Sequence, residues 1–543
     1  MASWSARLSQ TLAAPGLHPI ENLAAIGQAQ FSHFLTSQSN TLEIAVAEYI
    51  RRYRRNPPPK FDKWFAIAES EDYVLFDEFD TMMETLEPFW GVSASELRSR
   101  VGATFKDPRL IRFNISNAVL SFDHEGWAPW IGEQVQSWLP PEWRVILPNM
   151  TFAVNVLDEP RVLAPYDTLS TALHQASTNS SSDRKSDLPE KQVSKRTEVD
   201  FLKVGRQKAW QAMTSACTLE SSARNDGFVK ARSRLPTFVA NATDALDVCM
   251  HPGLHKTHGF LSSPDSVDFT HSLVPLFSQG KPSIFNDILF PSPYYAGRMD
   301  LEEYVGEEDP DWTEKSDTLS WSGATTGGYA TLANWRTLHR QRLLLSSKSQ
   351  PSVLVPLLNE TSPGQWEPYM GPISDLQSLF NLKLTGTTQC EPEACEAERG
   401  AFGILPFHDG EENPNKNPMN LTYQSKYALD MDGNGISGRY YRLLKSRSAV
   451  IKQTIFKEWH DGRLVPWVQY VPLSMDADEL PEIMRFLTQN EKGRVIGERI
   501  ARESRSWANI TLRKIDLQLS FLRLLLEYGR LMSDDRDTLN YEA

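Results

Sequence analysis

Residues 426–459 read KYALDMDGNGISGRYYRLLKSRSAVIKQTIFKEW, and this stretch decides the fold. Lys426 to Met431 is a short β-prone run. Asp432-Gly433-Asn434-Gly435 follows as a tight turn, where glycine is expected to supply φ > 0. Ser437-Gly438-Arg439 then opens a helix expected to run through Leu444, and Ala449-Val450-Ile451 starts the next strand. Strand, glycine turn, helix and strand in that order form a βαβ unit, the building block of an α/β fold. Backbone N–H groups at such a turn suit an anion. Arg439 and Arg442 add fixed positive charge of the kind that grips a pyrophosphate.

The chain around this unit has 543 residues, too many for one ordinary core, so two domains with extensions are expected. A hydrophobic share of 40% and a charged share of 23% are those of a globular protein. The net charge of −13 argues against a nucleic-acid partner. The basic run Arg51-Arg52-Tyr53-Arg54-Arg55 ends an amphipathic pattern that starts at Thr41, ahead of three prolines. It reads as a helix C-terminus rather than a polyanion patch. No apolar run reaches membrane-spanning length, and the N-terminus lacks the continuous apolar core of a signal peptide. Seven N-x-S/T sequons, at Asn114, Asn149, Asn179, Asn241, Asn359, Asn420 and Asn509, point toward a lumenal protein. The four cysteines allow three pairings, of which the local ones, Cys390 with Cys395 and Cys217 with Cys249, are favoured. No Cys/His array supports a metal cluster.

Residues 1–60 read as a helical arm, and 61–300 as a first α/β domain with strands at Leu110–Leu120 and Phe152–Leu157. A Ser/Thr/Lys-rich tract at 168–198 is expected to be a disordered insertion. Residues 301–492 form a second α/β domain, and 493–543 carry one long helix, Gly493 to Met532, packed across both. Ligands of two such domains sit at the carboxyl ends of strands.

Three constellations could carry chemistry. Asp430-x-Asp432-x-Asn434-Gly435 matches the start of a calcium loop, but its twelfth position is Tyr441 instead of a bidentate glutamate. The neighbouring arginines could neutralise a pyrophosphate, so no metal is required there. Asn155-Val-Leu-Asp158-Glu159-Pro160-Arg161 places an acid just past a strand. Asp158 is either a general base or a turn aspartate paired with Arg161. Arg336 and Arg340 share a helix face at i, i+4, which is either a solvated face or one that awaits an anion.

Lys426 to Thr454, with PWVQYVP at 466–472, closely resembles the C-terminal core of glycosyltransferase family 90. FDKWF at 61–65, DEFD at 77–80, EPFW at 87–90 and NVLDEPR at 155–161 look like the N-terminal half of that family, most similar to its fungal branch. The resemblance covers about Pro57 to Tyr528. It implies a GT-B fold of two Rossmann-like domains across a cleft. The implied reaction transfers xylose or glucose from a UDP-sugar, with inversion, to a hydroxyl of a glycan or glycoprotein, with no obligatory metal. It places the catalytic acid at Asp158 and nucleotide binding on Asn434, Gly435, Ser437, Gly438, Arg439 and Arg340, with Arg342 close by. Where the family has a phosphate-touching serine this chain has Ala324, so Thr325, Thr326 or backbone amides must substitute. The family usually carries an N-terminal signal or anchor that is not visible here. The secretory lumen is nonetheless implied, with membrane attachment only through a missing anchor. Tyr294 and Tyr295 are candidate sugar platforms. A non-catalytic glycan-binding descendant is the rival reading. A hydrolase using Asp158 and Glu159 fails because neighbours on an extended strand point to opposite sides.

Overall fold

A computed structural model describes residues 16–542 apart from 124, 125, 127, 180–198, 226–234, 297–303, 305 and 406–417. The first sheet has five strands: β1 Leu110–Ser116, β2 Val119–Asp123, β3 Met150–Asn155, β4 Leu276–Ser278 and β5 Ile288–Leu289. Their order is β2-β1-β3-β4-β5. β1 runs antiparallel to β2 and β3, whereas β3, β4 and β5 are parallel, so this sheet is mixed. The second sheet contains β6 Ser316–Ala324, β7 Phe380–Gly386, β8 Ser425–Met431, β9 Ala449–Gln453 and β10 Val471–Pro472. It is parallel throughout, in the order β7-β6-β8-β9-β10. Counted along the chain that is 2-1-3-4-5, the doubly wound order whose switch point lies between its first and third strands. The expected βαβ unit is therefore present as β8, the helix Tyr440–Lys445 and β9.

The sequence of β8 explains its burial on both faces. Tyr427, Leu429 and Met431 enter one core, and Ala428 enters the other beside Tyr440, Leu443 and Leu444. A strand covered by helices on both sides has no solvent-facing side, hence the mainly apolar run from Tyr427 to Met431, in which the one charged residue, Asp430, is buried and paired with Lys452. The first sheet carries an aromatic stack instead. Phe113 lies on Phe152 at 4.9 Å, and Phe152 on Phe277 at 5.4 Å.

Two expectations need correction. Residues 168–179 belong to a helix, Tyr166–Asn179, with Ala172 and Ala176 buried. Leu169, Ala172 and Ala176 form its apolar face at helical spacing, a pattern that serine and threonine neighbours obscure. Residues 180–198 lie outside the described residues. The long terminal helix is in fact two, Glu491–Thr511 and Lys514–Leu531, separated at Leu512-Arg513. The first packs on the second sheet's layer, with Ser504 Oγ donating to the Leu444 carbonyl at 2.9 Å. The second covers the first sheet, where Tyr528 meets Phe277 at 5.1 Å.

The arm also packs inward: Ile20, Leu23 and Ala24 of the helix Pro19–Thr36 join the core of the second sheet. Both favoured disulfides, Cys217–Cys249 and Cys390–Cys395, are formed. Among the described residues no helix is long and apolar enough to cross a membrane.

Candidate active site

The loop after β3 is shaped by buried polar groups. Asn155 Nδ2 donates to the Glu159 carbonyl at 2.8 Å and to Ser278 Oγ at 3.1 Å, while its Oδ1 accepts from Leu157 N–H at 3.1 Å. Asp287 is fully buried and accepts from the Arg161 and Val162 N–H groups, both at 2.8 Å, and from Ser278 Oγ at 2.7 Å. These bonds satisfy the backbone of a turn that leaves β3 abruptly. Arg161 is buried, with ion pairs to Asp107 at 2.8 Å and Asp268 at 3.2 Å, and it lies over the Phe201 ring. The cation of the motif is therefore a girder under the loop. Asp158 sits on top of it, exposed to solvent. Burial and then the Asp158 charge push the half-buried Glu159 carboxyl up to about 8.

At the switch point of the second sheet, the loops after β6 and β8 are clasped together. Gly327 N–H donates to Asn434 Oδ1 at 3.0 Å. Arg340, in the first turn of the helix His339–Ser347, donates to the Asp432 carbonyl at 2.7 Å, the Ala324 carbonyl at 2.8 Å, Thr326 Oγ1 at 2.7 Å and the Met431 carbonyl at 3.2 Å. Beside it, His339 Nε2 donates to the Asp432 carbonyl at 3.0 Å while its Nδ1 accepts from Gly259 N–H at 3.4 Å. His258 stacks on His339 at 4.1 Å, with its Nε2 3.4 Å from Asp432 Oδ2. Burial holds both imidazoles neutral, His258 at about 3. Burial also pushes the Asp432 carboxyl up to about 6.

Glycine is required here for close approach more than for backbone angle. A side chain on Gly259 would strike the Gly327 backbone, and one on Gly433 would crowd Thr326 Oγ1. Neither Gly433 nor Gly435 has the positive φ expected of it; Gly327 (φ +103°) and Gly328 (φ +158°) on the facing loop carry it instead.

The Ser437–Arg439 turn follows. Ser437 Oγ donates to Asp430, which also pairs with Lys452 at 3.2 Å. The helix starts at Tyr440, later than expected, so Arg439 is its cap residue and Arg442 lies in its last turn. Arg439 is half-buried and donates to the Ser322 carbonyl of β6. Burial and then Arg439 push Arg340 down to about 9, and burial also lowers Arg439. Among the described residues neither guanidinium lies within ion-pairing distance of a carboxylate, although Asp430 acts on both from further away and Asp432 on Arg340.

The two regions meet. Gly435 packs directly on Asp158, and a methyl group there would overlap the Asp158 carbonyl oxygen. Gly438 faces Tyr294, which stands edge-on to Trp130 at 5.1 Å. The structure therefore brings Asp158, Asn434, Gly435, Gly438, Arg439 and Arg340 to one junction of strand ends.

Other expected residues go elsewhere. Arg336 lies in a 3₁₀ turn, Trp335–Thr337, so it shares no helix face with Arg340; it rests on Trp335. Arg342 donates to the Met475 and Asp476 carbonyls. Thr325 is buried and bonded to Thr388. Tyr295 lies beneath the Ser437–Arg439 turn, stacked on Tyr441 at 3.8 Å. The pairing of His258 with His339 escaped sequence reading because histidines at the ends of two separate helices give no periodic signal; the glycines packed against them, at 259 and 327–328, were the available clue.

The sequence profile of glycosyl transferase family 90 matches residues 261–538, just over half of the chain. The chain belongs to glycosyl transferase family 90. The matched span takes in Arg340 and the whole of residues 426–459, and begins after Asp158. Among curated proteins, protein O-glucosyltransferase 3 of Rattus norvegicus is 29% identical over 152 residues, which cover 27% of this chain and 29% of that protein. The alignment thus spans well under a third of the relative.

Proposed function

We propose that this protein is an inverting glycosyltransferase that moves xylose or glucose from a UDP-sugar to a hydroxyl of a glycan or protein, on a GT-B arrangement of its two sheets. The observation that carries this reading is the contact of Asp158 with Gly435. It puts an exposed carboxylate beside a glycine turn at a doubly wound switch point, where α/β sheets bind ligands. Arg439 and Arg340 offer positive charge to the pyrophosphate, and Asn434, Gly435, Ser437 and Gly438 shape its seat. With that charge in place no obligatory metal is invoked. Most donors of Arg340 are committed to the protein, and the Ser437 hydroxyl to Asp430. Arg340 then acts mainly through its field, and Ser437 through its backbone.

In this mechanism the acceptor oxygen attacks the anomeric carbon, the bond from that carbon to UDP breaks, and the acceptor proton passes to Asp158. Proton removal and positioning lower the barrier. The two disulfides and the exposed sequons Asn149, Asn241, Asn359 and Asn509 support a secretory lumen. Ala324, in place of a serine, is the feature that favours the rival, a glycan-binding protein without turnover. Purified protein incubated with UDP-xylose, UDP-glucose and other nucleotide sugars separates the readings: release of UDP from xylose or glucose donors is expected. No release with any donor, despite bound UDP, would leave only the rival.

A further inference from the structure

Beneath the Ser437–Arg439 turn lies a buried polar cluster that the transfer reaction does not itself use. Its centre is the phenol of Tyr295. Tyr295 Oη is 3.1 Å from the Ser437 carbonyl oxygen and 2.6 Å from Glu458 Oε2. A phenol has one proton, and a carbonyl can only accept. Both contacts are full hydrogen bonds when Glu458 carries a proton and donates it to Tyr295 Oη, which frees Tyr295 to donate to Ser437. An ionised Glu458 would claim the tyrosine proton and leave two oxygens facing each other at Ser437.

We infer that Glu458 is kept as a neutral carboxylic acid whose proton holds Tyr295 on the Ser437 carbonyl, making the pair positioning residues for the nucleotide-binding turn. The inference deepens the proposed function and rests on that turn's being the donor seat.

The charge balance around Glu458 agrees. Lys452 Nζ lies between Asp430 Oδ2 at 3.2 Å and Glu458 Oε1 at 3.3 Å, over the Tyr440 ring. Asp430 also accepts from Ser437 Oγ, so the single cation is matched by that carboxylate. Among the described residues, Lys452 and the neutral His460 are the basic groups within ion-pairing distance of Glu458. His460, 3.8 Å from Glu458, is held neutral by burial. Asp461 is an acid, pushed up to about 6 by burial, and accepts from Glu458 N–H at 3.1 Å. Tyr441, stacked on Tyr295, shares its hydroxyl with His460. The strand paired with Glu458 carries Lys281, which burial pushes down to about 8. Arg463 is turned away to Tyr73 and Ser520. Burial pushes Glu458 itself up to about 8, above the working range of most enzymes.

Glu458→Gln keeps a donor where the acid proton stood but cannot ionise; Tyr295→Phe removes the relay. Infrared difference spectra of wild type minus Glu458→Gln should show a neutral carboxylic C=O band at pH 6.5 that disappears by pH 9.5. Amide exchange at Tyr440, whose N–H donates to the Ser437 carbonyl at 3.2 Å, should be faster in wild type than in Glu458→Gln at pH 9 and equal at pH 6.5. UDP affinity should fall by up to about tenfold from pH 7 to pH 9 in wild type, the limit for one proton titrating near 8. The fall should be clearly smaller in Glu458→Gln, in which Arg340, pushed down by burial to about 9, still titrates, and affinity should be weak at both values in Tyr295→Phe with melting temperature retained. Absence of the acid band, or equal exchange at both pH values, overturns the inference. If band and exchange behave as expected but no variant binds UDP, the positioning stands and the donor reading falls.

Discussion

The loop after β3 and the loop after β8 touch at Asp158 and Gly435, yet they carry charge in opposite ways. After β3 the acid is exposed, and its supporting charges, Arg161, Asp107 and Asp268, are paired with one another below it. After β8 nearly every charged group is buried, and Arg340 spends its donors on four protein acceptors. The first loop presents a reactive group on a rigid base. The second is itself the rigid base, shaped so that backbone and field meet a ligand. A substitution should therefore cost activity in the first loop and stability in the second.

That contrast can be broken at several points. Asp158→Asn should lower UDP release with donor and acceptor by about 10²–10⁴-fold, the usual worth of a positioned base. Its melting temperature should be unchanged, because the side chain is exposed. A large loss of stability would make Asp158 a structural residue. Arg340→Ala should destabilise by about 3 kcal/mol in denaturant unfolding, since it orphans buried carbonyls of two loops. Arg340→Lys should not restore this, because an ammonium cannot span four acceptors in a fork. Gly435→Ala should destabilise by about 1–3 kcal/mol through overpacking against Asp158, and should lower turnover by displacing the acid.

The smallest effect is one of pH. Burial raises Glu159 and Glu458 to about 8 and Glu479 to about 7. The folded state holds protons there that the unfolded state has already released, so stability falls as pH rises through these values. The depressed acids Asp107 and Glu527, at about 2, are ionised in both states above pH 6 and add no slope. Lys281 reverses the trend above about 8. The melting temperature should therefore be lower at pH 8 than at pH 7, and Glu458→Gln should flatten the difference.

Much of the second region could be read in the sequence. β8 and β9 announced themselves as short β-prone runs on either side of a glycine turn and helix, because most of their side chains are apolar and buried on both faces. The first sheet was half visible: strands were expected at 110–120 and 152–157, but the first divides at Asn117-Ala118 into the hairpin β1–β2, β4 was not foreseen, and the antiparallel β1–β3 pairing was not either, since alternation in short strands does not reveal the partner's direction. The helix Tyr166–Asn179 was missed because alanines carry its buried face. Asp158 was found from its place past a strand. Arg161 was read as a possible ion partner of Asp158 because sequence cannot show Asp107 and Asp268 arriving from elsewhere. The His258–His339 stack and the Tyr295–Glu458 contact join residues 81 and 163 positions apart, and no local pattern foretells such pairs.

The central claim is that the two loops form one donor site. Hydrogen exchange measured with and without UDP tests it most directly. The account predicts new protection in both 155–162 and 324–328, together with 432–440, in the same protein. Protection confined to one sheet's loops, or appearing only at a distant surface such as the basic run Arg51–Arg55, would contradict it.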